Sequence, residues 1–206
     1  ILMLSINTEV VIEAASRNEW TKVERILVSS AWKLEKMGAD CIVIPCNSFH
    51  IVSDKVQEKI SIPVLSILDC VGRYIDRNHF SKVALLGTKY TMKSGFYSDY
   101  LEDNFGVDVV IPDDFSCEKL HNIIFNELCY GVINEESKRF LKGQCQILST
   151  EEGCEAVILG CTELPLLVTQ SEVDSCLIDT VDLHTKYIVQ YALKDLESLK
   201  LFKKVV

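Results

Sequence analysis

The 206-residue chain contains no run of 18 or more apolar residues, which excludes a hydrophobic transmembrane helix. Its nine cysteines include no C-x-x-C pair, so zinc-type spacing is absent. Their odd number rules out a complete disulfide framework within one chain, and reduced thiols in a cytoplasmic protein are the simplest expectation. Neither a G-x-G-x-x-G nor a P-loop occurs, so nucleotide cofactors are not indicated. Positive charge is scarce: 21 Lys and Arg stand against 30 Asp and Glu, a net charge of −9. Wrapping nucleic acid or binding an anionic membrane surface is therefore not expected. An anionic small molecule is still permitted, because a few local donors can hold a carboxylate inside an acidic protein. No low-complexity segment or long linker interrupts the chain.

What is present is an alternation of short apolar runs with helical patterns, the signature of a doubly wound parallel α/β sheet. Leu2 to Ile6 reads as a strand; it is too short, and lacks the basic flank, for a signal peptide. No initiator Met opens the chain, which suggests a piece of a longer gene product. Asn18 to Met37 reads as a helix, with Asn18 capping its start and Gly38 its end. Strands are expected at 41–44, 63–67, 82–86, 107–111, 155–159 and 176–178. The intervening and C-terminal helices are expected at 48–59, 69–78, 91–105, 117–129, 135–151, 163–168 and 181–199. A hinge near His79 to Ser81 divides the chain into a first domain, 1–79 plus 178–206, and a second, 80–177.

An internal repeat singles out two cysteines. Gly38-Ala-Asp-Cys-Ile-Val-Ile-Pro-Cys46-Asn47 lies without gaps over Gly153-Cys-Glu-Ala-Val-Ile-Leu-Gly-Cys161-Thr162. Each copy is a glycine, an acidic residue, a four-residue apolar strand, a turn residue, a cysteine and a small polar residue. A second echo sets Ile67-Leu68-Asp69 against Leu177-Ile178-Asp179. Each repeated cysteine falls just past the carboxyl end of a buried parallel strand, where open α/β sheets place ligands. Each precedes an expected helix, whose N–H groups and dipole stabilise a thiolate. Two such cysteines on opposite sides of a cleft suit inversion of a stereocentre, one removing the α-proton and the other delivering a proton to the opposite face. The bland alternative is that both are small core residues in duplicated strands. The other seven, Cys41, Cys70, Cys117, Cys129, Cys145, Cys154 and Cys176, read as packing or surface residues.

These segments resemble a known family. Pro45-Cys46-Asn47-Ser48-Phe49-His50 is similar to the first cysteine signature of the aspartate/glutamate racemases, and Gly160-Cys161-Thr162-Glu163 to the second. The stretch from Val83 through Gly87, Thr88 and Thr91 looks like the family's middle strand and substrate-carboxylate loop. Asp179-Thr180 followed by His184 looks like its C-terminal element. The resemblance runs essentially over residues 1–200. It implies two pseudo-symmetric parallel-sheet α/β domains with the active site in the cleft between them, usually in a homodimer. It also implies an amino-acid substrate and no cofactor or metal. Cys46 and Cys161 would act as thiolate base and thiol acid. Asn47, Ser48, Thr88, Thr91 and Thr162 would bind the substrate's carboxylate and ammonium. Glu163 and His184 would tune the thiols, against the alternatives of helix capping for Glu163 and a satisfied core histidine for His184. His50 is expected to cap or pack its helix, and His79 and His121 carry no signal.

Two departures qualify the resemblance. The position matching Gly87 ahead of Cys46 falls before residue 1, where family members carry a first strand, a glycine-rich loop and a helix. The chain is thus expected to be a fragment of a longer product, or else a natural truncation with impaired activity. Aspartate-specialised relatives also use an arginine and a lysine in stretches matching 4–15 and 125–134, and neither stretch contains Lys or Arg here. Strict aspartate specificity is therefore not expected, with Arg73 and Lys89 the substitutes considered. The competing readings are a non-catalytic ligand-binding pseudoenzyme and another isomerase of the superfamily, such as a hydantoin racemase or a maleate cis–trans isomerase.

Overall fold

The structure, a computed structural model, describes residues 1–193. They fall into two compact units, Ile1–Ser66 and a second beginning at Ile67. The first unit starts without regular structure at 1–7, where a strand was expected. Helix α1, Thr8–Ser16, follows and has no counterpart in the expectation; Asn7 caps it by accepting from the Glu9 N–H. Asn18 sits at φ 58°, the left-handed region. Its N–H reaches Ala15 O and that of Glu19 reaches Ala14 O, so Asn18 closes α1 and does not cap the next helix as expected. Helix α2 spans Trp20–Lys36 and buries Val23, Leu27 and Ala31. Gly38 ends it as expected, at φ 90°, while the Ala39 N–H reaches back to Leu34 O.

Strand β1, Ile42–Val43, pairs in parallel with β2, Val64–Leu65, across a 3₁₀ turn at Ser48–Val52 and helix α3, Ser53–Gln57. The expected helix at 48–59 is thus partly 3₁₀. Ahead of β2, the Glu35 carboxylate accepts from the Ser61 N–H and hydroxyl, both at 2.6 Å, and from the Ile62 N–H. The core of this unit gathers Val11, Ala14, Val23, Ile42, Ile44 and Val56.

The second unit holds a four-stranded, all-parallel sheet in the order β4-β3-β5-β6. Its elements are α4 (Ile67–Arg77), β3 (Lys82–Gly87), α5 (Lys89–Lys93), α6 (Phe96–Phe105), β4 (Asp108–Val110), α7 (Asp114–Asn126), α8 (Glu135–Thr150), β5 (Ala156–Gly160), β6 (Cys176–Asp179) and α9 (Thr180–Ala192). The single helix expected at 91–105 is two, broken at Gly95 with φ 83°. The helix expected after Cys161 is only a 3₁₀ turn, Leu164–Leu166. Residues 194–199 of the expected last helix lie outside the described residues. Helix α4 packs on α6 and α9, and β6 pairs with β5. Residues 67–77 and 176–192 therefore belong to the second unit, whereas the sequence division put 67–79 and 178–206 in the first domain. The echo of 67–69 and 177–179 does not carry into structure either, since Ile67 opens a helix and Leu177 lies in a strand.

The central strands are buried on both faces, so they read as continuous apolar runs. Leu85, Leu86 and Ile158 are 0% exposed, and each contributes about 1.5–3 kcal/mol by leaving water. At their carboxyl ends Gly87 stands opposite Gly160. A Cβ on Gly87 would lie 2.9 Å from Gly160 O, and one on Gly160 would lie 2.9 Å from Leu86 O, so neither position has room for a side chain. Gly160→Ala is expected to lower stability by about 1–3 kcal/mol, because the clash is with backbone. A denaturation midpoint equal to wild type would show that the strand ends part freely.

A 3₁₀ turn, Gln170–Glu172, is closed by Glu172, whose carboxylate accepts from the Thr169 N–H and hydroxyl. Lys138 Nζ on α8 lies 2.5 Å from the same carboxylate. The Lys138 ammonium first, then the Thr169 bonds, hold Glu172 down from 4.5 to about 2. Its contribution to stability is complete above the ordinary carboxylate value and is lost as pH falls through the depressed one. Between about pH 4.5 and 2 the melting temperature of Glu172→Gln should fall less steeply than that of wild type, and parallel curves would remove this role.

Candidate active site

The candidate residues form two groups, one in each unit. In the first unit, β1 ends in a tight turn in which the Cys46 N–H donates to Ile44 O at 2.8 Å. Pro45 sits at the centre of this turn, where its fixed φ fits the inverse γ conformation. The turn is held from the other side by His50, whose Nδ1 donates to the Cys46 carbonyl at 2.9 Å. A carbonyl can only accept, so Nδ1 carries the hydrogen. His50 is 3% exposed and thus braces the turn that presents Cys46. Asn47 and Ser48 follow directly and are buried. Cys46 is half-buried and borders a cavity of about 300 Å³ lined mainly by Leu4, Ile6, Leu27, Ala31, Ile44 and Phe49.

In the second unit, β3 and β5 deliver their loops side by side, Thr88 leaving one strand and Cys161 the other at one level. The glycine pair permits this approach, and Thr91 covers it: its Cβ and Cγ2 would lie 3.2 and 3.3 Å from side chains built on Gly87 and Gly160. Thr88 caps α5, its Oγ1 accepting from the Thr91 N–H at 3.3 Å, and the two hydroxyls lie 3.3 Å apart. Both threonines are buried. Thr180, at the start of α9, donates its hydroxyl to Leu159 O at 2.9 Å and so steadies the end of the strand that leads to Cys161. Asp179 caps that helix, accepting from the N–H groups of Val181 and Asp182. His184 is buried one turn further along α9, in the same unit as Cys161.

Cys161 donates from Sγ to Glu163 Oε2 at 2.9 Å, and Thr162 Oγ1 donates to the same oxygen at 2.8 Å. This replaces the helix-dipole account: among the described residues a 3₁₀ turn, not an α-helix, follows each repeated cysteine. Glu163 contacts the thiol directly and makes no side-chain cap of that turn. Elsewhere, burial holds the thiols of Cys41, Cys70, Cys117, Cys129, Cys145 and Cys154 above the ordinary value, Cys145 at about 11. Those that are buried, Cys70, Cys117, Cys145 and Cys154, are inert near neutrality, whereas Cys129 is exposed. Among the described residues no group of three or more His, Cys, Asp or Glu is placed to hold a metal. Arg73 is bonded to Asp69 at 2.9 and 3.0 Å, and Lys89 pairs with Glu118 at 3.5 Å, so both candidate cations are already matched.

An ionised carboxylate beside a sulfur favours the thiol over the thiolate. Replacing Glu163 by Gln removes that charge and should speed iodoacetamide labelling of Cys161 at neutral pH several-fold, read by peptide mass mapping against the other cysteines. An unchanged or slower rate would show that Glu163 does not hold the proton on sulfur.

Comparison with known proteins places the chain in a family. Residues 1–188 match the family model described as Asp/Glu/Hydantoin racemase. The broad specificity amino-acid racemase RacX of Bacillus subtilis (strain 168) is 26% identical over 161 residues, covering 77% of this chain and 67% of its own length. A glutamate racemase of Aquifex pyrophilus is 28% identical over 150 residues, and there the match spans 69% of this chain but only 54% of the relative. Among solved structures, an aspartate racemase homologue from Pyrococcus horikoshii OT3 superposes with a TM-score of 0.80 at 36% identity, covering 93% of this chain and 83% of the other. With the repeated strand–turn–cysteine units in place and the family match spanning both, the chain belongs to the Asp/Glu/hydantoin racemase family.

Proposed function

We propose that this protein interconverts the enantiomers of an amino acid without a cofactor, with Cys46 and Cys161 as the two acid–base groups. The observation that carries the reading is the duplicated unit. Gly38 and Gly153, both at positive φ, each precede a parallel strand that pairs with the strand following it in the chain and leads through a turn residue to a cysteine. In one direction the thiolate of one cysteine takes the α-proton while the thiol of the other gives a proton to the opposite face. In the reverse direction the roles exchange, so each turnover leaves the proton count of the pair unchanged. The α-proton is only weakly acidic, so the carbanionic intermediate needs fixed donors around its carboxylate. Thr88, Thr91 and Thr162 supply them in the second unit, and Asn47 and Ser48 in the first. Glu163 holds the Cys161 proton between turnovers, and His184 supports the same thiol from α9. Small-molecule binding of this kind needs neither nucleic acid nor membrane, and among the described residues no helix is long and apolar enough to cross one. A homodimer in the cytoplasm completes the proposal.

A broad substrate range is favoured over strict aspartate use. Arg73 and Lys89 are neutralised by carboxylates, and the cavity beside Cys46 is lined mostly by apolar side chains. The relative named for broad specificity points the same way.

Loss of the α-proton signal in D₂O, followed by NMR with L- and D-amino acids singly, tests the reading. Exchange with inversion is expected, and Cys46→Ala or Cys161→Ala should each reduce inversion by at least about a thousandfold. Retained inversion in both variants would end the two-thiol mechanism. Binding of amino acids with no exchange would favour the pseudoenzyme reading.

A further inference from the structure

The start of α5 poses an accounting question, since the first N–H groups of a helix have no partner within it. The Thr91 N–H goes to Thr88 Oγ1, and the Met92 N–H to the Thr88 carbonyl. The Lys89 N–H goes to a side chain from another element, donating to Nδ1 of His121 on α7 at 3.4 Å. An Nδ1 that accepts bears no hydrogen, so the imidazole is neutral and protonated on Nε2. Its ring is fixed by aromatic neighbours, edge-on to Tyr90 with centroids 5.4 Å apart and tilted against Phe125 at 4.6 Å. Burial first, and then the nearby Lys89 ammonium, hold His121 below the ordinary imidazole value, while Glu118 opposes them. These are the charged groups that act on the ring, Lys89 from α5 and Glu118 from its own helix, and they pair with each other at 3.5 Å.

We infer that His121 is a positioning residue for racemisation: through Nδ1 it fixes the Thr88–Thr91 loop in the geometry that binds the substrate carboxylate, and protonation of Nδ1 releases that loop. A protonated Nδ1 would point a donor at a donor, so the contact can exist only with the neutral ring. His121 does not touch the reacting atoms. The inference rests on the reading of Thr88 and Thr91 as carboxylate binders.

Three variants and one spectrum test it. His121→Phe keeps a ring between Tyr90 and Phe125 but has no acceptor, and should raise KM about tenfold with kcat within about twofold. His121→Asn places an amide oxygen near the Nδ1 position and should retain the wild-type KM. The wild-type fall of kcat/KM at acidic pH, below the ordinary imidazole value, should be absent from His121→Asn. In ¹H–¹⁵N spectra of the full chain, the Lys89 amide should shift along the titration of His121. A Lys89 amide that ignores that titration, or an acid limb that persists in His121→Asn, overturns the inference. Thr88→Val separates the two levels. If it raises KM while His121→Phe does not, this inference alone falls; if it leaves KM unchanged, the carboxylate reading falls and takes the inference with it.

Discussion

Everything in the second unit that resembles a site depends on one close approach of backbone. Where β3 and β5 end, Gly87 and Gly160 face each other with no space for a β-carbon on either. The approach is possible only because both residues lack one. It brings two loops out at the same level and seats Thr91 over the junction, so the threonine pair and Cys161 share one floor. That floor is rigid because its strands are buried on both faces, and its far edge is tied by Thr180 to the Leu159 carbonyl. A site on such a base needs few further supports. The ones present are local and polar: a threonine cap on α5, a carboxylate under a thiol, and a histidine holding a helix N–H.

The first unit solves the same problem with less material. Its sheet has two strands, and Cys46 is presented by a proline turn that His50 closes. In both units a glutamate carboxylate anchors the backbone leading into a strand. Glu35 takes up Ser61 and Ile62 before β2, and Glu155 takes up Ser81 and Lys82 before β3. Serine donates through both N–H and hydroxyl in each case, although the two clamps fall outside the register of the repeat.

Much of this was legible in the sequence, for identifiable reasons. Apolar runs with glycine punctuation gave the parallel strands and the α2 terminus, because burial and left-handed backbone impose composition directly. The repeat singled out Cys46 and Cys161, whereas Thr88, read only as a carboxylate binder ahead of a helix starting at Thr91, is the cap of α5. What escaped depended on surroundings that the identity of a residue does not specify. Asn18 has the right identity for a cap at either end of a helix, and only the preceding α1 makes it a terminator. Ile67-Leu68 has strand composition but lies at the buried face of α4. The 3₁₀ turn after Cys161 contains Pro165 near its start, and a proline at a first turn suits an α-helix equally well. His121 carried no motif at all; its partner lies on another helix and is a backbone group, which no residue pattern encodes.

The unequal surroundings of the two cysteines bear on the thermodynamics of the proposed reaction. Enantiomers in an achiral solvent have the same free energy, so their interconversion has an equilibrium constant of one. The Haldane relation then forces kcat/KM to be identical for the L and D forms, whatever the protein does. Cys161 shares its proton with a carboxylate, whereas Cys46 sits on a turn beside an apolar cavity. That asymmetry cannot favour either product at equilibrium. It can be expressed only as compensating differences in kcat and KM between the two directions, so the enantiomer bound more tightly must also be turned over more slowly.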